Sequence, residues 1–219
     1  MSARDLSGPA LQAAEELLRG GQALTIKTRG GLEDAAGLVT LARRHPGRVK
    51  VDIAFFSVDP DQVQAWERGA ASVESRVALA RELQSAGAEV VATLGPLIPM
   101  VNDSERALSA LGRTLRQAGL LVWSPSWVRY SPGLANQIRR EVSRSKAKML
   151  QGWFHMGATS GTPELPERVR QTILGRLHEV ADRHGAHLVV CACTSRLGRG
   201  QCLDGPKQVS RRAQLELFG

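Results

Sequence analysis

Short runs of β-branched and apolar residues take turns along this chain with stretches that repeat apolar residues at helical spacing, and that rhythm limits the possible folds more than any other feature. Ser7, Gly8 and Pro9 form a helix start, Leu11, Ala14, Leu17 and Leu18 follow at helical spacing, and Gly20 and Gly21 end the element. Residues 23–28 then read as a strand stopped by Gly30 and Gly31. The alternation continues with a helix over 33–44, a strand over 49–56, a helix over 73–86 and a strand over 89–94. Asp103 is placed to cap a helix that closes at Gly119, and Leu120 to Trp123 begins the next strand. A basic helix is expected from Ser131-Pro132 toward Leu150, a further helix over 164–184 and a last strand over 187–193. Residues 194–219, rich in Gly and Arg, read as an irregular basic tail beyond a main unit of residues 1–193.

Strands separated by whole helices need crossover connections, so the class is α/β with a mostly parallel sheet covered by helices. A (β/α) barrel and an open doubly wound sheet both satisfy this. Either puts ligands at the carboxyl ends of the strands, which singles out residues 27–31, 57–59, 95–103, 123–130 and 191–194.

The 219 residues, 42% of them hydrophobic, suit one domain with a real core. No apolar run approaches the roughly 18 residues of a membrane span, and the amino terminus lacks the basic-then-apolar order of a signal peptide, so no membrane partner and a cytoplasmic location are expected. The net charge of +8 is concentrated at Arg139, Arg140, Arg144, Lys146 and Lys148, and again at Lys207, Arg211 and Arg212. Such clusters attract phosphate and are compatible with a nucleic-acid partner, or equally with an ordinary solvated surface.

The three cysteines all lie between residues 191 and 202, an odd count in one short stretch that cannot staple distant elements. Strand alternation puts His187, Cys191 and Cys193 on one face, and with Cys202 folding back they form a set able to hold zinc or an iron-sulfur cluster. The other reading is thiols with no ligand, because the spacing lacks paired Cys-x-x-Cys knuckles. Lys27 at a strand end either binds a carboxylate or phosphate or is a solvated rim lysine. Ser57 either hydrogen-bonds a ligand or caps the helix starting at Pro60. Trp123, Trp127, Tyr130 and Trp153 either stack on bases or pack in the core. Glu67 and Asp59 have no neighbour in sequence that would make an acid-base dyad.

Four segments in order carry a family likeness: Thr25-Ile26-Lys27-Thr28; residues 51–57 (VDIAFFS); residues 66–72 (WERGAAS) before a helix with Arg76; and residues 95–103 (GPLIPMVND). They resemble successive segments of radical S-adenosylmethionine enzymes of the spore photoproduct lyase-like group, as does the ending at residues 214–218 (QLELF). The resemblance implies an incomplete parallel (β/α) barrel of about five strands with outer helices, in TIM-barrel manner. It also implies a DNA-repair lyase's cofactors, S-adenosylmethionine and a 4Fe-4S cluster, and a cofactor wall of Lys27, Ser57, Pro96, Ile98 and Asn102. Two departures stand out: Met100 occupies the place where the family usually has glycine, and no Cys-x-x-x-Cys-x-x-Cys run occurs. The expectation is therefore an enzyme segment needing a cluster-bearing polypeptide as partner, or else a non-catalytic nucleic-acid-binding barrel remnant. A barrel that begins late would also leave an edge of its sheet open.

Overall fold

A computed structural model describes residues 8–157 and 164–190, together with the backbone of residues 213–216. The elements run α1 (Gly8–Arg19), β1 (Leu24–Thr28), a 3-10 turn (Leu32–Asp34), α2 (Ala36–Arg44), β2 (Val49–Phe55), α3 (Pro60–Trp66), α4 (Val73–Ser85) and β3 (Glu89–Leu97). They continue as α5 (Glu105–Gln117), β4 (Val122–Trp127), α6 (Pro132–Glu141), α7 (Arg144–Met156), α8 (Glu167–His184), β5 (His187–Leu188) and β6 (Ala213–Glu216). All neighbouring strands pair in parallel, in the order β5-β4-β3-β2-β1-β6. Among the described residues β5 and β6 do not meet, so the expected α/β class with an incomplete parallel barrel and outer helices is what forms.

Side-chain oxygens end the loops and start the helices. Asp59 accepts from the Asp61 and Gln62 amides, Ser72 from Ser75, Ser104 from Ala107, Ser131 from Leu134 and Ser143 from Lys146. Several expectations are corrected here. Ser104, not Asp103, caps α5, because the Asp103 carboxylate is taken by the Met100 amide at 2.6 Å. The single basic helix toward Leu150 is two, broken at Val142, whose extended backbone (φ −124, ψ 162) cannot continue a helix and leads straight into the Ser143 cap. The helix expected from Pro60 forms as the short α3, with Asp59 rather than Ser57 as its cap. Residues 213–216, expected to be irregular, form β6 along β1, so the edge expected to stay open at β1 is paired. Parallel pairing satisfies the backbone groups of β1 from either side, and the alternation of apolar Ala213 and Leu215 with polar Gln214 and Glu216 suits a strand too short to stand out in a basic tail. The last strand is described as His187–Leu188, with the Val189 amide extending the ladder to the Trp123 carbonyl at 2.7 Å; residues 191–193 lie outside the described residues.

One face of the sheet is apolar. Leu24, Ile26, Val49, Val51, Ile53, Phe55, Val90, Ala92, Leu94 and Trp123 share a single core with Leu18 of α1, Leu38 of α2, Leu79 of α4, Leu111 of α5 and Leu177 of α8. Register and the two-residue alternation of strands put Thr25, Lys27, Lys50, Asp52, Ala54, Glu89, Val91, Thr93, Val122, Ser124 and His187 on the other, more polar face. A second apolar cluster joins Phe56, Ile98 and Val128, the residues just past β2, β3 and β4, to Ile138 of α6 and Ala147, Leu150 and Phe154 of α7. The α6–α7 hairpin is thereby seated against the carboxyl ends of the central strands.

Candidate functional site

The turn after β3 organises the carboxyl end of the sheet. The Asn102 side chain is 2% exposed and spends its amide on three backbone bonds: Oδ1 accepts from the Ile98 amide at 2.8 Å, and Nδ2 donates to the Phe56 and Pro96 carbonyls, each at 3.1 Å. One side chain thus ties the segment holding Ser57 to the segment holding Pro96 and Ile98. Met100 adopts φ +62, the left-handed conformation that a glycine reaches without penalty, so the turn keeps a glycine-like path with a methionine in it. Asp103 locks the same turn, accepting from the Met100 amide and pairing through Oδ2 with Arg176 of α8 at 2.9 Å. Gly95 has φ +131, and a Cβ there would meet the Leu97 amide nitrogen at 2.5 Å and the Ser126 carbonyl oxygen at 2.6 Å. No other residue type allows β3 and β4 to approach this closely.

Lys27 lies on the polar face, half-buried beside Asp52 in register, with no hydrogen bond or ion pair to another described residue. Ser57 is buried, and its Oγ accepts from the Asp59 amide at 3.0 Å, leaving the hydroxyl proton free to donate. Ser57 is therefore not the helix cap; Asp59 is, because its carboxylate reaches two amides of the first turn. Pro96 is half-buried, while Ile98 is 1% exposed inside the second apolar cluster. The Asn102 amide thus holds the backbone of Pro96 and Ile98 and of Phe56, next to Ser57, while Lys27 lies in register with Asp52 and Val91, further back along the strands. Nearby, the Leu32 amide donates to Ser75 Oγ at 3.0 Å, and the Ser75 hydroxyl donates to the Glu33 carboxylate, holding it below the usual carboxylate range.

Beneath the mouth lies a buried ion pair. Arg76 of α4 is fully buried; its Nη2 donates to Glu67 Oε2 at 2.9 Å and its Nη1 to the Ala54 carbonyl at 2.6 Å, with the guanidinium 5.5 Å from the Phe55 ring centre. Arg29, just past β1, stands with Nε 3.5 Å from Glu67 Oε1, while Oε1 itself and Arg76 Nε are buried without hydrogen bonds. Sequence reasoning leaves Glu67 without a role, since nothing in the spacing of Glu67 and Arg76 says that both are interior.

His187 is exposed at the start of β5, and its proposed companions Cys191, Cys193 and Cys202 lie outside the described residues. Among the described residues no three His, Cys, Asp or Glu side chains are grouped to hold a metal ion. Those residues include no thiolate and so do not fit an iron-sulfur cluster, which is held by cysteine sulfur. Lys27, Thr93 and Ser124 on the more polar sheet face supply a cation and two hydroxyls, the kinds of group that the carboxylate and ribose of S-adenosylmethionine call for. Of the aromatics, Trp123 is core, fully buried with Nε1 donating to the Leu120 carbonyl at 2.7 Å. Trp127, Tyr130 and Trp153 are half-buried around the α6–α7 hairpin. No helix of the described residues is long and apolar enough to cross a membrane.

No family model and no curated protein matches the chain. Solved structures do. Spore photoproduct lyase complexed with dinucleoside spore photoproduct is 16% identical, with a TM-score of 0.58 over 82% of this chain and 54% of that one. A cysteine-to-alanine mutant with the same dinucleoside gives 16% identity and a TM-score of 0.60 over 83% of this chain and 55% of that one. A tyrosine-to-phenylalanine mutant gives 14% identity and a TM-score of 0.59, with 83% and 55% covered. The likeness is one of fold, and the chain spans about half the length of the structures it matches.

Proposed function

We propose that this chain is the later portion of a radical S-adenosylmethionine enzyme of the spore photoproduct lyase-like group, acting on nucleic acid. It works with a polypeptide segment that supplies the Cys-x-x-x-Cys-x-x-Cys cluster ligands, adjoining or separate. The observation that carries this reading is the polar sheet face that ends in the Asn102-clamped turn, on a fold similar to spore photoproduct lyase over 82% of the chain. The cofactor supplies radical chemistry when bound. Lys27 pairs its ammonium with the cofactor carboxylate, and Ser57 donates its free hydroxyl proton to a ribose or carboxylate oxygen. Pro96, Ile98 and Asn102 shape the wall against the adenine.

Equilibrium dialysis with S-adenosylmethionine, comparing the unaltered chain with Lys27→Ala and Ser57→Ala, tests the site: both variants bind more weakly while their circular dichroism is unchanged. Anaerobic reconstitution with iron and sulfide tests the need for another segment, and a complete cluster held by this chain alone refutes it. The lack of any cysteine before residue 191 favours a second reading, a non-catalytic nucleic-acid-binding remnant of the barrel. DNA binding without S-adenosylmethionine binding selects that reading. His187, Cys191, Cys193 and Cys202 are proposed as a structural metal site compatible with either, to be checked by zinc content before and after Cys191→Ala.

A further inference from the structure

We infer that the outward face of α7 is the surface along which the sugar-phosphate backbone of a DNA strand lies, an assignment that rests on the nucleic-acid reading above. Ala147, Leu150 and Phe154 turn inward to the second apolar cluster. Arg144, Lys148 and His155 fall along one flank of the helix, at steps of four and seven residues, Lys146 emerges on the opposite flank, and the exposed Met149 and Met156 lie between them. All four basic residues are exposed, and α7 contains no acidic residue. Arg144, Lys146 and Lys148 have no ion pair among the described residues. By contrast Arg19, Arg170, Arg176 and Arg183 each reach a carboxylate.

Their placement also runs against the helix dipole. Helices α3, α4, α5 and α8 carry an acidic residue in the first turn, whereas α7 opens with Arg144 and Lys146, a like-charge arrangement that disfavours the isolated helix. Neighbouring anions reverse that sign. The face is also continuous with the candidate site: Tyr130, just past β4, has its ring 4.8 Å from Phe154 and 6.1 Å from His155. A strand tracking the α7 cations therefore passes the mouth formed by the strand ends.

The test is fluorescence anisotropy of a labelled single-stranded DNA oligonucleotide over a series of salt concentrations, with circular dichroism to check folding. The unaltered chain binds with a salt-dependent affinity, and Arg144→Gln/Lys146→Gln/Lys148→Gln lowers the log-log salt slope by about 2, near 0.7 per lost phosphate contact on a single strand. A control, Arg43→Gln/Arg44→Gln at the carboxyl end of α2, leaves the slope unchanged. An unaltered slope in the triple variant overturns the α7 assignment and leaves the nucleic-acid reading intact. No DNA binding by the unaltered chain removes both. Preferential capture by phosphatidylserine vesicles, lost in the same triple variant, assigns the face to a lipid surface and overturns the proposal.

Discussion

Arg76→Met is the sharpest probe of how this sheet end is held together. The methionine fills most of the same space but removes the bond to the Ala54 carbonyl and the pair with Glu67. Glu67 then remains as a buried carboxylate with only Arg29, at 3.5 Å and partly exposed, to offset it. Breaking a buried pair from one side costs about 3–5 kcal/mol. For a chain of this length each kcal/mol lowers the melting temperature by about 2–4 °C, so Arg76→Met should melt roughly 6–20 °C lower. Glu67→Gln should be nearly as damaging, because it strands the Arg76 guanidinium. The double variant removes both charges and leaves the Ala54 carbonyl as the main unmet group, a loss of about 1–3 kcal/mol. Urea denaturation of all four proteins should therefore give a double-variant loss well below the sum of the single losses. Additive losses, or a single-variant loss under about 1 kcal/mol, would refute the argument that these charges are buried and mutually dependent.

Met100→Gly should be more stable than Met100→Ala by about 1 kcal/mol in urea denaturation, the reverse of their order in a helix, because both lose the same packing and only glycine sits at φ +62 without penalty. Gly95→Ala should destabilise by at least about 2 kcal/mol and weaken S-adenosylmethionine binding, since its Cβ meets backbone atoms of β3 and β4; a neutral effect on melting would contradict the close approach. His184, packed against Trp123, has its protonation disfavoured first by burial and then by the Arg116 charge. Its folded pKa lies below the unfolded value of about 6.5, so the unfolded chain takes up the proton first and stability falls as pH drops below that value. Denaturation at pH 7.5 and 5.5 should show this loss in the unaltered chain and a smaller one in His184→Gln.

The sequence by itself determined the class. Periods of two and 3.6 residues are local properties, so the runs 23–28, 49–56 and 89–94 between helical stretches announced a parallel sheet, and Gly20-Gly21, Gly87 and Gly119 marked where helices stop. The strand ends were legible for the same reason, and within them the family resemblance brought Lys27, Ser57, Pro96, Ile98 and Asn102 forward. How the chain holds them there was decided only by tertiary structure. Asn102 finds the Phe56 carbonyl 46 residues away, Arg76 and Glu67 lose their water together, and β6 adds to β1 from the far end of the chain. A polar side chain reads as exposed until a partner is brought to it from elsewhere, and burial with a partner is a property of the packed sheet rather than of any stretch of residues along it.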